Sequence, residues 1–171
     1  ELPPVVIIAG PTASGKSALA LETALRFDGE IINADSMQVY RELSVLTARP
    51  TARDEAKVPH HLYGVLSASE VCSAGKWLEM AVGVINDCLR RGKLPVVCGG
   101  TGLYVKVLNE GLADIPDVPA AIVSQSEALF QSLGGEGFRQ RLAETDATAA
   151  ARLQPSDRQR LVRAHAVATA T

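Results

Sequence analysis

The sequence contains no hydrophobic run long enough to cross a lipid bilayer. Its longest apolar stretches, residues 2–9 and 94–98, are broken or ended by proline or glycine, whereas a membrane-spanning helix needs about 20 apolar residues. A basic segment followed by an apolar one, typical of a secretion signal, is also absent from the first residues. We therefore expect a soluble, cytoplasmic protein with no membrane partner.

Cysteine is scarce, and neither sign of charge is in large excess. Cys72, Cys88 and Cys98 fit neither a disulfide framework nor a C-x-x-C metal site, so we expect them to be reduced and partly buried. His60 and His61 would point in different directions on a helix or a strand, which disfavours a histidine metal site. The formal net charge of −2 disfavours a basic coat for non-specific nucleic-acid binding.

Residues 10–17 have the sequence of a phosphate-binding loop, G-x-x-x-x-G-K-S, between an apolar run and a helical pattern. Its glycines let backbone N–H groups turn toward a diphosphate, while Lys16 and the Ser17 hydroxyl can reach a terminal phosphate and a Mg²⁺ ion. The loop alone does not distinguish ATP, GTP, the substrate pair of a nucleotide kinase or a prenyl diphosphate. The residues assigned to diphosphate or nucleotide binding are Gly10, Pro11, Thr12, Ala13, Ser14, Gly15, Lys16 and Ser17.

The 171 residues, of which 47% are hydrophobic and 21% charged, suffice for a well-buried core. Apolar, β-branched runs alternate with helical patterns, which is typical of βαβ units. The sequence thus predicts an α/β fold of the P-loop NTPase type: a mainly parallel sheet, helices on both faces, and the ligand at the carboxyl ends of the strands. The predicted strands are residues 5–9, 30–34 and 95–98, and the predicted helices are residues 16–27 and 77–91.

Polar residues follow two of the predicted strands. Asp35 comes after the second strand and could bind Mg²⁺, accept a proton from a nucleophile or cap the next turn. Ser36, Gln38 and Tyr40 could form hydrogen bonds with a base. The third strand leads into Gly99-Gly100-Thr101-Gly102, where the backbone and a hydroxyl can approach a ligand closely. No acid ends this strand, which disfavours simple ATP hydrolysis.

The composition changes after residue 112. Pro116 and Pro119 interrupt any helix or central strand over residues 113–119. Helix-compatible stretches follow at residues 120–132, 137–144 and 147–153, around Gly134-Gly135. We interpret residues 1–112 as the α/β core, 113–150 as a small helical insertion or lid, and 151–171 as a return to the core. The last residues carry no capping signal, so we expect a truncated domain.

A short basic segment lies near the end of the chain. Its arginines are Arg152, Arg158, Arg160 and Arg163, against the single acid Asp157. Such a segment can bind phosphates or can simply be a solvated helix face, and the charge pattern leaves both interpretations open.

Six motifs, in order along nearly the whole chain, resemble those of the tRNA dimethylallyltransferases. They are Gly-Pro-Thr-Ala-Ser-Gly-Lys-Ser at 10–17, Asp-Ser-Met-Gln-Val-Tyr at 35–40, Thr-Ala-Arg-Pro-Thr at 47–51, Pro-His-His-Leu at 59–62, Gly-Gly-Thr-Gly-Leu-Tyr at 99–104 and Asp-Arg-Gln-Arg-Leu-Val-Arg-Ala at 157–164. The set is far more specific than the phosphate-binding loop alone.

The resemblance implies transfer of a dimethylallyl group from dimethylallyl diphosphate to N6 of adenosine 37 in the anticodon loop of tRNA. Asp35 matches the family's catalytic aspartate and Thr101 its threonine at the bridging oxygen of the diphosphate. Arg163 or Arg160 resembles the arginine that reaches the diphosphate, and Ser17 would hold Mg²⁺. The tRNA contacts so implied are Asp35, Ser36, Met37, Gln38, Thr101, Gln159, Arg160 and Arg163, with residues 113–150 as a tRNA-contacting lid. We further expect a monomer that lacks the family's C-terminal part.

Two other functions stay open at this stage. An adenylate isopentenyltransferase would prenylate a free nucleotide, although the Ser36 of Asp-Ser-Met-Gln-Val-Tyr fits the tRNA-acting branch better. A nucleotide kinase or a P-loop binding module would instead act without a prenyl donor.

Overall fold

A four-stranded parallel sheet forms the centre of the first of two compact units, Glu1–Leu112 and Ala113–Thr171. The computed structural model describes residues 4–44, 46, 47, 49–112 and 118–171. The strands are β1 (Val6–Ala9), β2 (Gly29–Asn33), β3 (His60–His61) and β4 (Leu94–Gly99), in the spatial order β1-β4-β2-β3. All three strand pairs are parallel, which confirms the predicted sheet.

Helices cover both faces of this sheet. Successive strand residues point to opposite sides, and apolar residues on both sides pack against helices. Ile31 and Val96 pack against Ala20 and Ala24 on one face. On the other face, neighbouring strand residues join a core that contains Trp77. The helices of this unit are α1 (Lys16–Arg26), α2 (Ala52–Glu55), α3 (Ala74–Arg90) and α4 (Gly102–Glu110). The P-loop type of α/β fold is thus confirmed.

The start and end of α3 follow from local chemistry. Ser73 caps the helix by accepting a hydrogen bond from the backbone N–H of Lys76. This cap explains why the helix begins three residues before the predicted residue 77. Gly92, at a φ of 70°, follows the last turn as predicted, since glycine adopts this left-handed conformation without strain.

The second unit is helical. It contains α5 (Ala120–Ala143), α6 (Ala147–Arg152) and α7 (Arg158–Ala170). Gly134 has non-helical angles of φ 68° and ψ 173° within α5, which therefore bends where Gly134-Gly135 separated two predicted helices. A side chain on Gly135 would lie 2.0 Å from the carbonyl oxygen of Pro155, so this close approach of two backbones requires glycine.

The packing of α7 differs from the sequence interpretation, which returned residues 151–171 to the α/β core. Leu161 and Val162 of α7 instead share one hydrophobic core with Phe138, Leu142 and Ala150. Residues 113–171 accordingly form a single unit. The reason is that α7 carries its own buried apolar stripe, which its charged sequence concealed. The proline-containing stretch predicted at 113–119 lies mostly outside the described residues.

No helix in the described parts of the chain is both long and apolar enough to span a membrane.

A buried carboxylate connects three elements of the first unit. Glu30, in the middle of the sheet, is 4% exposed. Arg91 donates two hydrogen bonds to it, at 2.5 and 2.8 Å, from the end of α3. The Nε2 atom of His61 lies 2.7 Å from its Oε2 atom, from β3. Chiefly through the hydrogen bonds from Arg91, the pKa of Glu30 falls from 4.5 to about 2.

We predict that Arg91→Ala lowers stability much more than Arg90→Ala. Loss of Arg91 leaves the buried Glu30 carboxylate without its permanently charged partner, which is destabilising even though Arg91 itself is partly exposed. Arg90 is the matched control, because its bond to Asp87 is at the surface. Urea unfolding of both variants would measure the difference, and equal midpoints would contradict the role of the pair.

The same pair predicts a pH dependence. Because the folded-state pKa of Glu30 is depressed, its stabilisation is complete above about pH 4.5 and is lost as the pH falls toward 2. Wild-type urea midpoints should therefore fall across this window, and those of Arg91→Ala should fall less. Parallel curves for the two proteins would show that Glu30 does not depend on Arg91.

Candidate active site

The phosphate-binding loop connects β1 to α1 in a strained conformation. Ala13 and Gly15 both have positive φ angles, 63° and 81°. For an alanine this left-handed conformation costs about 1–2 kcal/mol, and such strain is concentrated at ligand-binding loops. Gly10 leaves room for Ser14, whose Oγ would lie 3.2 Å from an added side chain. The ammonium group of Lys16 donates a hydrogen bond to the carbonyl oxygen of Pro11 at 2.9 Å.

The ends of β2 and β4 lie against each other beside this loop. A side chain on Gly99 would lie 2.1 Å from the backbone of Ala34, so only glycine fits there. The backbone N–H of Thr101 donates to the carbonyl oxygen of Ala34 at 3.1 Å. Gly100 lies close to both the loop and Lys16, since an added side chain would be 4.0 Å from the lysine nitrogen. The predicted glycine turn thus packs directly against the phosphate-binding loop.

Asp35 and Thr101 are held by hydrogen bonds around one turn. Asp35 Oδ1 accepts a hydrogen bond from the backbone N–H of Met37 at 2.9 Å. Within the described part of the chain, no donor contacts its second oxygen. The Thr101 hydroxyl oxygen accepts from the Ser36 backbone N–H at 2.9 Å, and its proton can be donated to Ser36 Oγ at 3.2 Å.

A cavity of about 660 Å³ lies over the loop. Its lining includes most of the predicted loop residues, together with Asp35, Met37 and Gln38. Gly10, Pro11, Ser36 and Thr101 are not part of the lining; Ser36 and Thr101 bond to each other beside it. These positions bring Lys16 and the Asp35 carboxylate to one cavity.

Several residues that line this cavity have no role predicted from the sequence. Leu46, Thr47, Tyr63 and Cys98 also face this cavity. Thr47 belongs to the 47–51 motif, and its carbonyl oxygen accepts a hydrogen bond from Gln38 Nε2 at 2.6 Å, which orients the Gln38 amide. Burial raises the pKa of Tyr63, so its hydroxyl stays protonated and can donate a hydrogen bond.

An adjoining cavity of about 280 Å³ shares Ser17, Gln38 and Tyr63 with the first and adds Arg49 and His60 from two of the motifs. Residues from both the 47–51 and the 59–62 motifs thus lie next to the phosphate-binding loop.

Glu30, His61 and Cys88 place three possible metal-ligand atoms within 4.8 Å of one another. Arg91, however, already occupies both carboxylate oxygens of Glu30 with a positive charge. Burial and the neighbouring Glu30 raise the pKa of the Cys88 thiol to about 11, so it is protonated at neutral pH. The cluster is satisfied by hydrogen bonds and acts as a structural connection.

The predicted residues of the basic segment lie on α7 in the second unit. Gln159 and Arg163 line a groove of about 450 Å³, together with Arg158 and Glu127. Arg160 is not among the lining residues, and its guanidinium lies 3.3 Å from Asp157. The two arginines, three residues apart, therefore have different surroundings.

Comparison with known proteins assigns the chain to a family. The family described as IPP transferase matches residues 38–171, and the one described as isopentenyl transferase matches residues 3–63. The chain belongs to the IPP transferase family. The tRNA dimethylallyltransferase of Rhodospirillum rubrum is 53% identical over 168 residues, which cover 98% of this chain and 52% of that protein. That of Granulibacter bethesdensis is 52% identical over 159 residues, 93% of this chain and 50% of that protein.

Solved structures of this family share the fold. The tRNA isopentenylpyrophosphate transferase of Bacillus halodurans matches with a TM-score of 0.64 and 36% identity, over 99% of this chain and 56% of that chain. A eukaryotic dimethylallyltransferase acting on tRNA matches with a TM-score of 0.80 and 30% identity, over 95% and 40% of the two chains. The chain spans about half the length of the curated relatives it matches.

We predict that Lys16→Met weakens binding of inorganic diphosphate by about 10- to 100-fold, because a hydrogen bond to a charged group contributes about 1.5–3 kcal/mol. Lys106→Met is the control, since Lys106 is exposed and pairs with Glu110. Isothermal titration calorimetry with Mg²⁺ present measures both affinities. Equal affinities in the two variants would remove Lys16 from the diphosphate site.

Proposed function

We propose that the chain carries the donor-binding and catalytic part of a tRNA dimethylallyltransferase. The proposed reaction transfers a dimethylallyl group from dimethylallyl diphosphate to N6 of adenosine 37 in the tRNA anticodon loop. The observation that supports it most is the cavity that joins a diphosphate-type loop to the Asp35 carboxylate, with no acid at the end of β4 for ATP hydrolysis. Membership of the IPP transferase family points to the same chemistry.

Asp35 is proposed as the general base. The exocyclic amine of adenosine is a weak nucleophile, because its lone pair is conjugated with the purine ring. It needs a base within hydrogen-bond reach as its bond to the allyl carbon forms. The Met37 N–H orients one oxygen of Asp35 and leaves the other available for the N6 proton. The bond from the allyl carbon to the bridging oxygen breaks, and diphosphate leaves.

Lys16 and Thr101 are proposed to stabilise the leaving group. Negative charge grows on the bridging oxygen as this bond breaks, so donors directed at it contribute most in the transition state. The Thr101 hydroxyl can keep accepting from the Ser36 N–H while its proton turns from Ser36 Oγ toward the diphosphate. Lys16 and the loop would hold the outer phosphate, and Arg163 is proposed to contribute a further positive charge.

Mg²⁺ is proposed as the cofactor. Ser17 lies at the start of α1 and lines the cavity, and its hydroxyl is the kind of hard oxygen ligand that Mg²⁺ prefers. When bound, the ion would neutralise charge on the departing diphosphate.

Substrates distinguish this proposal from the alternatives. We would fuse the chain to the portion of the Rhodospirillum rubrum relative that lies outside the match, and supply radiolabelled dimethylallyl diphosphate with tRNA or with AMP. Label on tRNA alone is expected. Label on AMP alone would favour an adenylate isopentenyltransferase, and ATP turnover without a prenyl donor would favour a kinase.

Asp35→Asn in this fusion is expected to lower kcat by about 10²–10⁴-fold while diphosphate affinity stays near that of wild type, because an amide cannot accept the N6 proton. Asp28→Asn is the matched control, since Asp28 precedes β2 and Asp35 follows its other end. Steady-state kinetics with tRNA would compare the two. A kcat near that of wild type for Asp35→Asn would exclude Asp35 as the general base.

Arg163 and Arg160 are expected to have different effects. A contact with a tRNA phosphate releases counterions, so its removal reduces the slope of log affinity against log salt by about one. We expect this change for Arg160→Ala, and for Arg163→Ala a loss of donor turnover. Arg152→Ala is the control from the same unit, and filter binding at several salt concentrations gives the slopes. If both variants have the salt slope and the donor turnover of Arg152→Ala, the basic segment is a solvated helix face without a binding role.

A further inference from the structure

We propose that Asn33 is a positioning residue that sets the backbone of Asp35 and thereby the direction of its carboxylate. The inference rests on the general-base role of Asp35 in the proposed function. Asn33 is the last residue of β2 and is completely buried. A buried polar side chain must have its hydrogen bonds satisfied, so the groups that satisfy it indicate what it holds.

The side-chain amide of Asn33 binds both backbone groups of Asp35. Its Oδ1 accepts a hydrogen bond from the Asp35 N–H at 2.9 Å, and its Nδ2 donates to the Asp35 carbonyl oxygen at 3.0 Å. Two bonds to one residue restrict its φ and ψ angles together. Since the Asp35 side chain leaves from the same backbone, its carboxylate is directed by Asn33 without being touched by it.

The second proton of the same Nδ2 connects Asn33 to a distant part of the chain. It is donated to the carbonyl oxygen of Leu62 at 3.1 Å. Leu62 has a φ of 63°, a conformation that costs about 1–2 kcal/mol for a residue with a side chain. The hydrogen bond helps to hold this strained residue, and Tyr63, which lines the cavity, follows it directly. One amide thus fixes two parts of the cavity wall.

Trp77 in turn anchors Asn33. Its indole N–H donates to the Asn33 carbonyl oxygen at 2.8 Å, and its ring stacks on Tyr104 with centroids 4.4 Å apart. Trp77 is fully buried on α3, so the anchor belongs to a rigid helix. Helix α3 therefore holds the end of β2, the end of β2 holds the turn that follows it, and this turn directs the Asp35 carboxylate.

No other side chain of similar size can make this set of bonds. An aspartate could accept from the Asp35 N–H but could not donate to two carbonyl oxygens. A leucine of similar volume could make none of the bonds. Asn33 therefore supplies one acceptor and two donors to three backbone groups, which uses both protons of its amide nitrogen.

The test uses the fusion described above with Asn33→Asp and with Trp77→Phe, which keeps an aromatic ring but loses the N–H donor. We expect kcat to fall about 10- to 100-fold in Asn33→Asp and less in Trp77→Phe. The KM for dimethylallyl diphosphate should stay within about twofold, because the phosphate-binding loop is untouched. Ile85→Ala is the control: it removes core packing on α3 but none of these bonds.

The outcomes separate the inference from the proposed function. Suppose that the wild-type fusion transfers the label and the Asp35→Asn fusion does not. The positioning role is then overturned if the kcat of Asn33→Asp is no lower than that of an equally stable Ile85→Ala variant. The role would also be overturned if, in both Asn33→Asp and Trp77→Phe, kcat and the KM for dimethylallyl diphosphate changed by the same factor. If wild type does not transfer the label, the proposed function fails, and the inference fails with it. Should Asn33→Asp not fold, Trp77→Phe decides, because a kcat equal to the control contradicts the anchor.

Discussion

The parallel pairing of β2 with β4 is the constraint on which the rest of the first unit depends. The register places Asn33 opposite Cys98, so the turns that follow both strands emerge at the same edge of the sheet. The contact between Gly99 and Ala34 leaves no room for a side chain, and it brings Thr101 within bonding distance of Ser36. Asp35 lines the cavity from that edge and Thr101 lies beside it, while Lys16 and Ser17 line it from the neighbouring loop.

Buried polar groups determine how rigidly this edge is held. Asn33 and Glu30 lie in the same strand, and each binds groups from distant parts of the chain. Replacing Asn33 with an apolar residue would leave backbone groups of Asp35 and Leu62 without its hydrogen bonds, and replacing Glu30 would remove the acceptor that Arg91 and His61 share. Buried groups left unpaired in this way cost more than the original bonds contribute. The strand therefore combines an apolar core with two polar connections, one for the helix α3 and one for the proposed catalytic turn.

Much of this arrangement could be predicted from sequence, because strong local patterns encode it. The loop at 10–17, the strands β1, β2 and β4, and the helix α3 all carry periodic or motif signals. The two-residue strand β3 consists of histidines and has too short a pattern to recognise. The start of α4 is hidden in a glycine-rich turn without a side-chain cap. In the sequence, Asn33 looks like the end of an apolar run. Nothing nearby marks it as a hydrogen-bonding residue, because its partner Leu62 is 29 residues away. Long-range partners of this kind leave no local trace.

The bond between Lys16 and the Pro11 carbonyl has a consequence for how tightly a phosphate can be held. The carbonyl oxygen takes only one of the three ammonium protons, so it holds the group in place while two donors and the charge stay available to an anion. Part of the entropy that ordering a lysine side chain costs is therefore already lost before the ligand arrives. A loop built in this way is ready for the next anion as soon as one has left, which suits the repeated diphosphate binding and release of the proposed reaction.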